Sequence, residues 1–350
     1  MEYIKSRDIQ QLMKLIISSG NIAIIGHMKP DGDALGSCVA MFHFLGQCGI
    51  EKRHIIFPDA FPAYIDFITE GMEKESILTH TDNPETAERA IRDSDLIICL
   101  DFNAFHRTDR LENALMESSA KKILIDHHLN PDIRNFEVVF SETEVSSASE
   151  LLFHVLKATP VTEGQISRLD PRACTALMTG MTTDTNNFAN STYPSTLKMA
   201  SELLEAGVDR DLIVHNLYNR HSENRMRLMG HVLKDLMTIT SDGVAYIVLD
   251  SRTQKEYEIN DGDTEGFVNL PLAIDKVRMS LLLKEDGDRV RVSIRSKKGT
   301  SANLCAREYF NGGGHENAAG GRLHIGQEVG SIKDAAAYIE EHTHLFLNGK

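Results

Sequence analysis

Short apolar runs alternate with stretches of helical period through the first half of the chain. Residues 22–25, 54–57, 95–100 and 122–125 read as strands, each the length of a segment buried on both faces. Between them, Ile9, Leu12, Met13, Ile16 and Ile17 recur at helical spacing, and residues 34–47 form a longer helical run closed by Gly49. Residues 84–93 and the stretch holding Leu111, Leu115 and Met116 follow the same period. Strands alternating with helices predict an α/β fold with a doubly wound, mostly parallel sheet. Two further helices are predicted at 147–157 and 170–184. On the second, Ala173, Leu177, Met181 and Asp184 share a face that is apolar until its last position. Residues 195–236 read as successive helices. From Met237 the texture turns to strands at 244–249, 279–283 and 289–295, with a helix near 331–342. The expected organisation is a first α/β domain over 1–194, a helical linker over 195–236 and a smaller α/β domain over 237–350.

Composition narrows the class. Of 350 residues, 41% are apolar and 25% charged, the balance of a globular protein able to bury two cores. Acids outnumber bases 51 to 37, a formal charge of −14, which argues against a long nucleic-acid track or a membrane surface. No run reaches the length of a membrane span, and residues 1–8 do not read as a signal peptide. Cys38, Cys48, Cys99, Cys174 and Cys305 are odd in number and scattered, which favours free thiols in a reducing cytoplasm.

The candidate chemistry sits where the strands end. After 22–25 comes Gly26-His27-Met28-Lys29-Pro30-Asp31-Gly32-Asp33, the run at 95–100 ends at Asp101, and the run at 122–125 ends in Asp126-His127-His128. Asp184 closes its helix. Taken singly, any of these is also what a solvated, Asx-rich cap would contain. Recurrence at the carboxyl ends of successive strands, where open α/β sheets collect ligands, favours a carboxylate–imidazole metal site. A second local feature stands out in the second domain. Arg289, Arg291, Arg295, Lys297, Lys298 and Arg307 occur with no acid among them, and the period of two puts Arg291, Ser293 and Arg295 on one strand face. An exposed polar face would account for Arg289 and Arg291 equally well.

In this order the motifs resemble the DHH phosphoesterase superfamily, and more closely its DHH–DHHA1 members that act as nanoRNases and phosphoadenosine phosphate phosphatases. The resemblance runs through Gly26-His27, Pro30-Asp31-Gly32-Asp33-Ala34-Leu35-Gly36-Ser37, Asp101, Asp126-His127-His128, Thr183-Asp184 and Asn311-Gly312-Gly313-Gly314-His315-Glu316-Asn317-Ala318-Ala319-Gly320. It implies a DHH domain and a DHHA1 domain with the active site in the cleft between them. It also implies two divalent ions, manganese foremost, with magnesium, cobalt or iron as alternatives. One would be held by His27, Asp31 and the bridging Asp101, the other by Asp33, Asp101, His127 and Asp184. Asp126 would orient the neighbouring imidazole, and His128 would face the substrate phosphate or leaving oxygen. Arg295, Ser296, Gly312, Gly313, Gly314 and His315 would bind substrate.

The function implied is a hydrolase of very short RNA oligonucleotides and of 3'-phosphoadenosine 5'-phosphate, with hydroxide as nucleophile and no covalent intermediate. Alternatives are a phosphodiesterase for linear or cyclic dinucleotide messengers and, in another class, a catalytically silent nucleotide-binding regulator. Asn103, His106 and Arg107 border the motifs without an assigned role. His43, His154, His215, His221, His231, His342 and His344 lack ligand spacing, and Met226, Leu228 and Met229 read as helix packing. Whether two copies pair as a homodimer is left open by the sequence.

Overall fold

A computed structural model describes residues 4–259 and 262–349, and for His315 the backbone alone. The chain divides into two compact units, Met1–Arg220 and His221–Lys350. The first opens with α1 (Ser6–Ile17), β1 (Asn21–Ile25), α2 (Gly32–Gln47), β2 (Lys52–Phe57) and β3 (Ile77–Thr79). It continues with α3 (Pro84–Arg92), β4 (Leu96–Leu100), α4 (Glu112–Glu117), β5 (Lys121–Asp126) and β6 (Val138–Ser141), then α5 (Ala148–Lys157), α6 (Pro171–Asp184), α7 (Pro194–Glu205) and α8 (Arg210–Tyr218).

These strands form a six-stranded sheet in the order β3-β2-β1-β4-β5-β6, parallel throughout. The apolar runs are explained by what covers them. In β1, Ile22 and Ile24 face one helix layer, where they meet residues of α1, α2, α5 and α6. Ala23 and Ile25 face the other, with Ala87 and Ile91 of α3 and Leu115 of α4. Both faces are therefore dry, and the strands carry no alternation. The winding reverses between β1 and β4, which are neighbours in the sheet although β2 and β3 separate them in sequence. A crevice at the carboxyl ends of such a strand pair is where this architecture binds ligands.

The second unit contains α9 (Glu223–His231), β7 (Met237–Ile239), β8 (Val244–Leu249), α10 (Ser251–Glu256), β9 (Met279–Asp286), β10 (Arg289–Ser296), α11 (Ala302–Tyr309), β11 (Gly313–His315), β12 (Ala318–His324) and α12 (Ala335–Asn348). Its sheet runs β11-β12-β10-β9-β8-β7, antiparallel except for the parallel pair β8–β9. Along β10, Val290, Val292 and Ile294 are buried in the core with α11 and α12. Arg289, Arg291, Ser293 and Arg295 alternate onto the opposite face.

The residues set aside as a linker are divided between the units, α7 and α8 in the first and α9 in the second. No helix among the described residues is long and apolar enough to cross a membrane. All five cysteines are free, and Cys48 alone among them is not fully buried.

Candidate metal centre

The loop after β1 builds the first part of the site. A Cβ at Gly26 would stand 2.1 Å from the Phe57 ring, so any larger residue would have to displace that buried ring. His27 is buried, and its Nδ1 lies 2.8 Å from the carbonyl of Met28. Because a carbonyl can only accept, Nδ1 carries a proton and Nε2 is the ring nitrogen turned toward the carboxylates. Nε2 lies 3.4 Å from Asp101 Oδ2 and 3.8 Å from Asp31 Oδ1. Asp31 caps α2, accepting from the backbone N–H groups of Asp33 (3.0 Å) and Ala34 (3.1 Å).

Asp101, the residue after β4, has φ +63, a left-handed conformation that a non-glycine residue holds only against some strain. That turn aims its buried carboxylate both ways. Oδ2 faces His27, and Oδ1 lies 3.5 Å from His127 Nε2. His127 Nε2 is also 3.6 Å from Asp184 Oδ2 and 4.0 Å from Asp33 Oδ2. The donor atoms of His27, Asp31 and Asp101 thus form one group, and those of Asp33, His127 and Asp184 another, each within 4.8 Å. Asp101 stands between the two, in contact with a histidine of each.

The imidazole held by Asp126 is that of His128, with Nδ1 2.7 Å from Asp126 Oδ1, and Asp126 is fully buried. His128 also comes within reach of Asp101, its Nδ1 3.8 Å from Oδ1. Asn103 ties the adjoining loops together: its side chain donates to Leu129 O (2.8 Å) and its carbonyl accepts from Asp132 N (2.8 Å).

Electrostatics supplies the test of whether cations fit. Burial, then the charge of Asp101, pushes the Asp33 carboxyl up to about 7. Burial and Asp33 raise Asp184 well above the usual carboxylate range. For Asp101 burial acts the same way, but His127 and His27 outweigh it and hold its carboxyl well below that range. Burial opposes charge on His127, yet Asp101, Asp33 and Asp184 bring it up to about 10. His27 is raised well above its ordinary value against the same opposition, by Asp101 and Asp31. Asp33 and Asp184 are therefore crowded by Asp101 and by one another and retain protons, as do His27 and His127. Asp101 Oδ1 has no hydrogen-bond partner among the described residues. Oxygen donors mixed with imidazole nitrogen, short of positive charge, fit hard or borderline divalent ions.

Two family profiles match the chain. The DHH family's N-terminal domain covers residues 21–181 and the DHHA1 domain residues 241–341. This chain belongs to the DHH–DHHA1 family. Among relatives of this DHH–DHHA1 protein is the Bacillus subtilis (strain 168) bifunctional oligoribonuclease and PAP phosphatase NrnA. It is 27% identical over 95% of this chain and 99% of the relative. The cyclic-di-AMP phosphodiesterase GdpP of Geobacillus thermodenitrificans is 27% identical over 97% of this chain, which spans 49% of that protein. The crystal structure of an exopolyphosphatase-related protein from Bacteroides fragilis superposes with a TM-score of 0.90 and 35% identity, covering 99% of this chain and 98% of that one.

The residues expected to bind substrate lie in the DHHA1 unit. The Arg295 guanidinium is half-buried and donates to Ile294 O (3.0 Å) and Ala319 O (3.4 Å); burial lowers its pKa, partly offset by Glu265. Ser296 is not brought to Arg295's face. The strand period turns it inward, where its hydroxyl donates to Thr300 O (2.6 Å) and accepts from Asn317 Nδ2 (3.0 Å). Gly312, Gly313 and Gly314 run into edge strand β11. A Cβ on Gly312 would stand 1.9 Å from Gly320 O, and one on Gly314 2.5 Å from Ala318 O, so both are needed for the close approach of β12. The side chain of His315 lies outside the described residues.

Asp33 is held by a helix start far from it in sequence. Both oxygens of Asp33 accept backbone N–H groups from the start of α5: Ala148 to Oδ2 (2.6 Å) and Ser149 to Oδ1 (2.9 Å). The sequence signal available was the capping pattern Ser147-x-x-Glu150, which marks a helix start but says nothing of what docks there.

Proposed function

We propose that this DHH–DHHA1 protein is a two-metal phosphoesterase that releases mononucleotides from very short RNA oligonucleotides and converts 3'-phosphoadenosine 5'-phosphate to AMP. The observation that carries the reading is the pair of histidine–carboxylate groups flanking one buried aspartate, Asp101, at the sheet's switch point. Near full-length similarity to an oligoribonuclease and PAP phosphatase supports the choice of substrate. His27, Asp31 and Asp101 would hold one ion, and Asp33, Asp101, His127 and Asp184 the other. Bound there, the ions would polarise the phosphate, offset its charge and activate water for attack. Manganese suits the mixture of carboxylate and imidazole donors.

The chain's own groups supply the remaining parts of the reaction. Asp126, on Nδ1 of His128, would fix that ring beside Asp101, in position to face a phosphate or leaving oxygen. Arg295 offers a guanidinium fork to a terminal phosphate, with His315 as a further donor, while the Gly312 and Gly314 amides are taken by Ala306 O and Asn303 Oδ1. A reducing cytoplasm suits five free cysteines.

Similarity to the cyclic-di-AMP phosphodiesterase supports a second reading, hydrolysis of linear or cyclic dinucleotide messengers. A manganese-supplemented panel of dinucleotides, longer RNA, cyclic dinucleotides, 3'-phosphoadenosine 5'-phosphate and pyrophosphate separates the two. Dinucleotides and 3'-phosphoadenosine 5'-phosphate are expected to turn over fastest, and a preference for cyclic dinucleotides would favour the second reading. Asp101→Ala should lower turnover by more than the roughly 10- to 100-fold that outer-shell substitutions cost. Near wild-type turnover by that folded variant would refute the shared-ligand role.

A further inference from the structure

Glu150 is fully buried, yet it carries a charge that the ligand set does not use. Its Oε2 accepts three hydrogen bonds, from Ser146 N (2.9 Å), Ser146 Oγ (2.6 Å) and Thr196 Oγ1 (2.6 Å). His154 Nε2 stands 3.6 Å from the other oxygen. Burial opposes ionisation here, but contacts from His154, Ser146, Ser195 and Thr196 outweigh it and bring the carboxyl down to about 2. A cap alone would not require this arrangement. Ser147 already caps α5 by accepting from Glu150 N (3.0 Å), and an unpaired carboxylate buried at this depth would cost several kcal/mol.

The Ser146–Ser149 turn that Glu150 grips is the same turn whose amides hold Asp33. Ala148 N donates to Asp33 Oδ2, the oxygen facing His127, and Ser149 N donates to Oδ1. The grip extends to a second helix, because Thr196 Oγ1 also accepts from Tyr193 N (3.1 Å) at the start of α7. Two helix starts and one aspartate are thus fastened to a single buried carboxylate.

We propose that Glu150 is a positioning residue for the metal centre: it fixes the first turn of α5 so that the Ala148 and Ser149 amides hold the Asp33 carboxylate in its ligating orientation. The proposal rests on Asp33 being a metal ligand and not on which phosphate ester is cleaved. Glu150→Gln removes the charge and leaves one oxygen: either it meets the donors at Ser146 and Thr196 and the N–H₂ turns onto His154 Nε2, or the N–H₂ opposes those donors. Thr196→Val removes one donor at nearly constant volume, and Thr196→Ser keeps it.

In the full-length chain, manganese affinity by titration calorimetry and amide hydrogen exchange at Ala148 and Ser149 test the idea without reference to turnover. Affinity should fall about 10- to 100-fold in Glu150→Gln, less in Thr196→Val and not in Thr196→Ser, with exchange at both amides faster where affinity falls. If Glu150→Gln does not fold, the Thr196→Val and Thr196→Ser pair carries the test. Wild-type manganese affinity in Thr196→Val, together with faster exchange at those amides, would overturn the proposal and leave Glu150 a structural anchor. An Asp33→Asn control separates the premise: if it too binds manganese normally, the ligand reading of Asp33 falls and this proposal with it.

Discussion

Protons occupy the histidine–aspartate cluster where cations are expected, and this gives the site a pH signature. In the metal-free protein His127 keeps its proton up to about pH 10, whereas an exposed imidazole loses it near 6.5. The folded state binds that proton more tightly than the unfolded chain. The resulting stabilisation is complete below about pH 6.5 and is lost as pH rises through 10. His27 acts in the same direction. Asp33, raised to about 7, adds a contribution lost between roughly pH 4 and 7. The melting temperature of the metal-free protein should therefore fall from pH 6 toward pH 10. Manganese must displace the same protons, so its affinity, and the rise in melting temperature it produces, should grow with pH. Scanning calorimetry across this range, with and without manganese, checks both slopes. A manganese effect independent of pH would mean that His127 and Asp33 are not ligands.

Helix packing directly behind the ligands explains how side chains so distant in sequence converge. A Cβ on Gly36 of α2 would lie 2.6 Å from the carbonyl of Ala176 and 3.0 Å from Gly180 Cα, both on α6. One on Gly180 would lie 2.1 Å from Ser149 Oγ and 2.9 Å from Asp33 Oδ1. These close contacts set the end of α6, with Asp184, beside the start of α2, with Asp33. Gly36→Ala should gain about 1 kcal/mol of helix propensity and lose about 1–3 kcal/mol to overpacking against backbone that cannot yield. A net loss in urea denaturation together with weaker manganese binding is expected; a net gain with unchanged binding would show that the contact is slack. At this scale the strands ending at Ile25, Leu100 and Asp126 were legible, because each is a dry run stopped by polar ligands. Short β3 and β6, and glycine-rich β11 and β12, were not, since three or four residues carry no period and glycine reads as turn. Nor was the docking of Asp33 on α5 legible, for it joins residues 115 positions apart and no local pattern encodes it. The residues of the candidate cluster were named from strand ends in the sequence; the amides that hold Asp33 were not.

Across the whole molecule, a charge of −14 sets what kind of phosphate ligand the protein can hold. An acidic chain repels a long polyanion, so under the proposed function affinity would come from bound cations and a few local contacts, with Arg295 the candidate. Counterion release gives this a number. With about 0.7 of a counterion released per phosphate contact on a single strand, two contacts would weaken binding of a short oligonucleotide about sevenfold between 50 and 200 mM salt. Losing one contact in Arg295→Ala should reduce that factor to about 2.6 and raise KM, while manganese content stays unchanged. The check is KM for a dinucleotide and for a long single-stranded RNA over the same salt range. A shallow slope for the dinucleotide with negligible binding of the long strand matches a site that measures length by contacts at one end. A steep slope with tight binding of the long strand would instead require an extended basic track, and would move the function toward processive degradation.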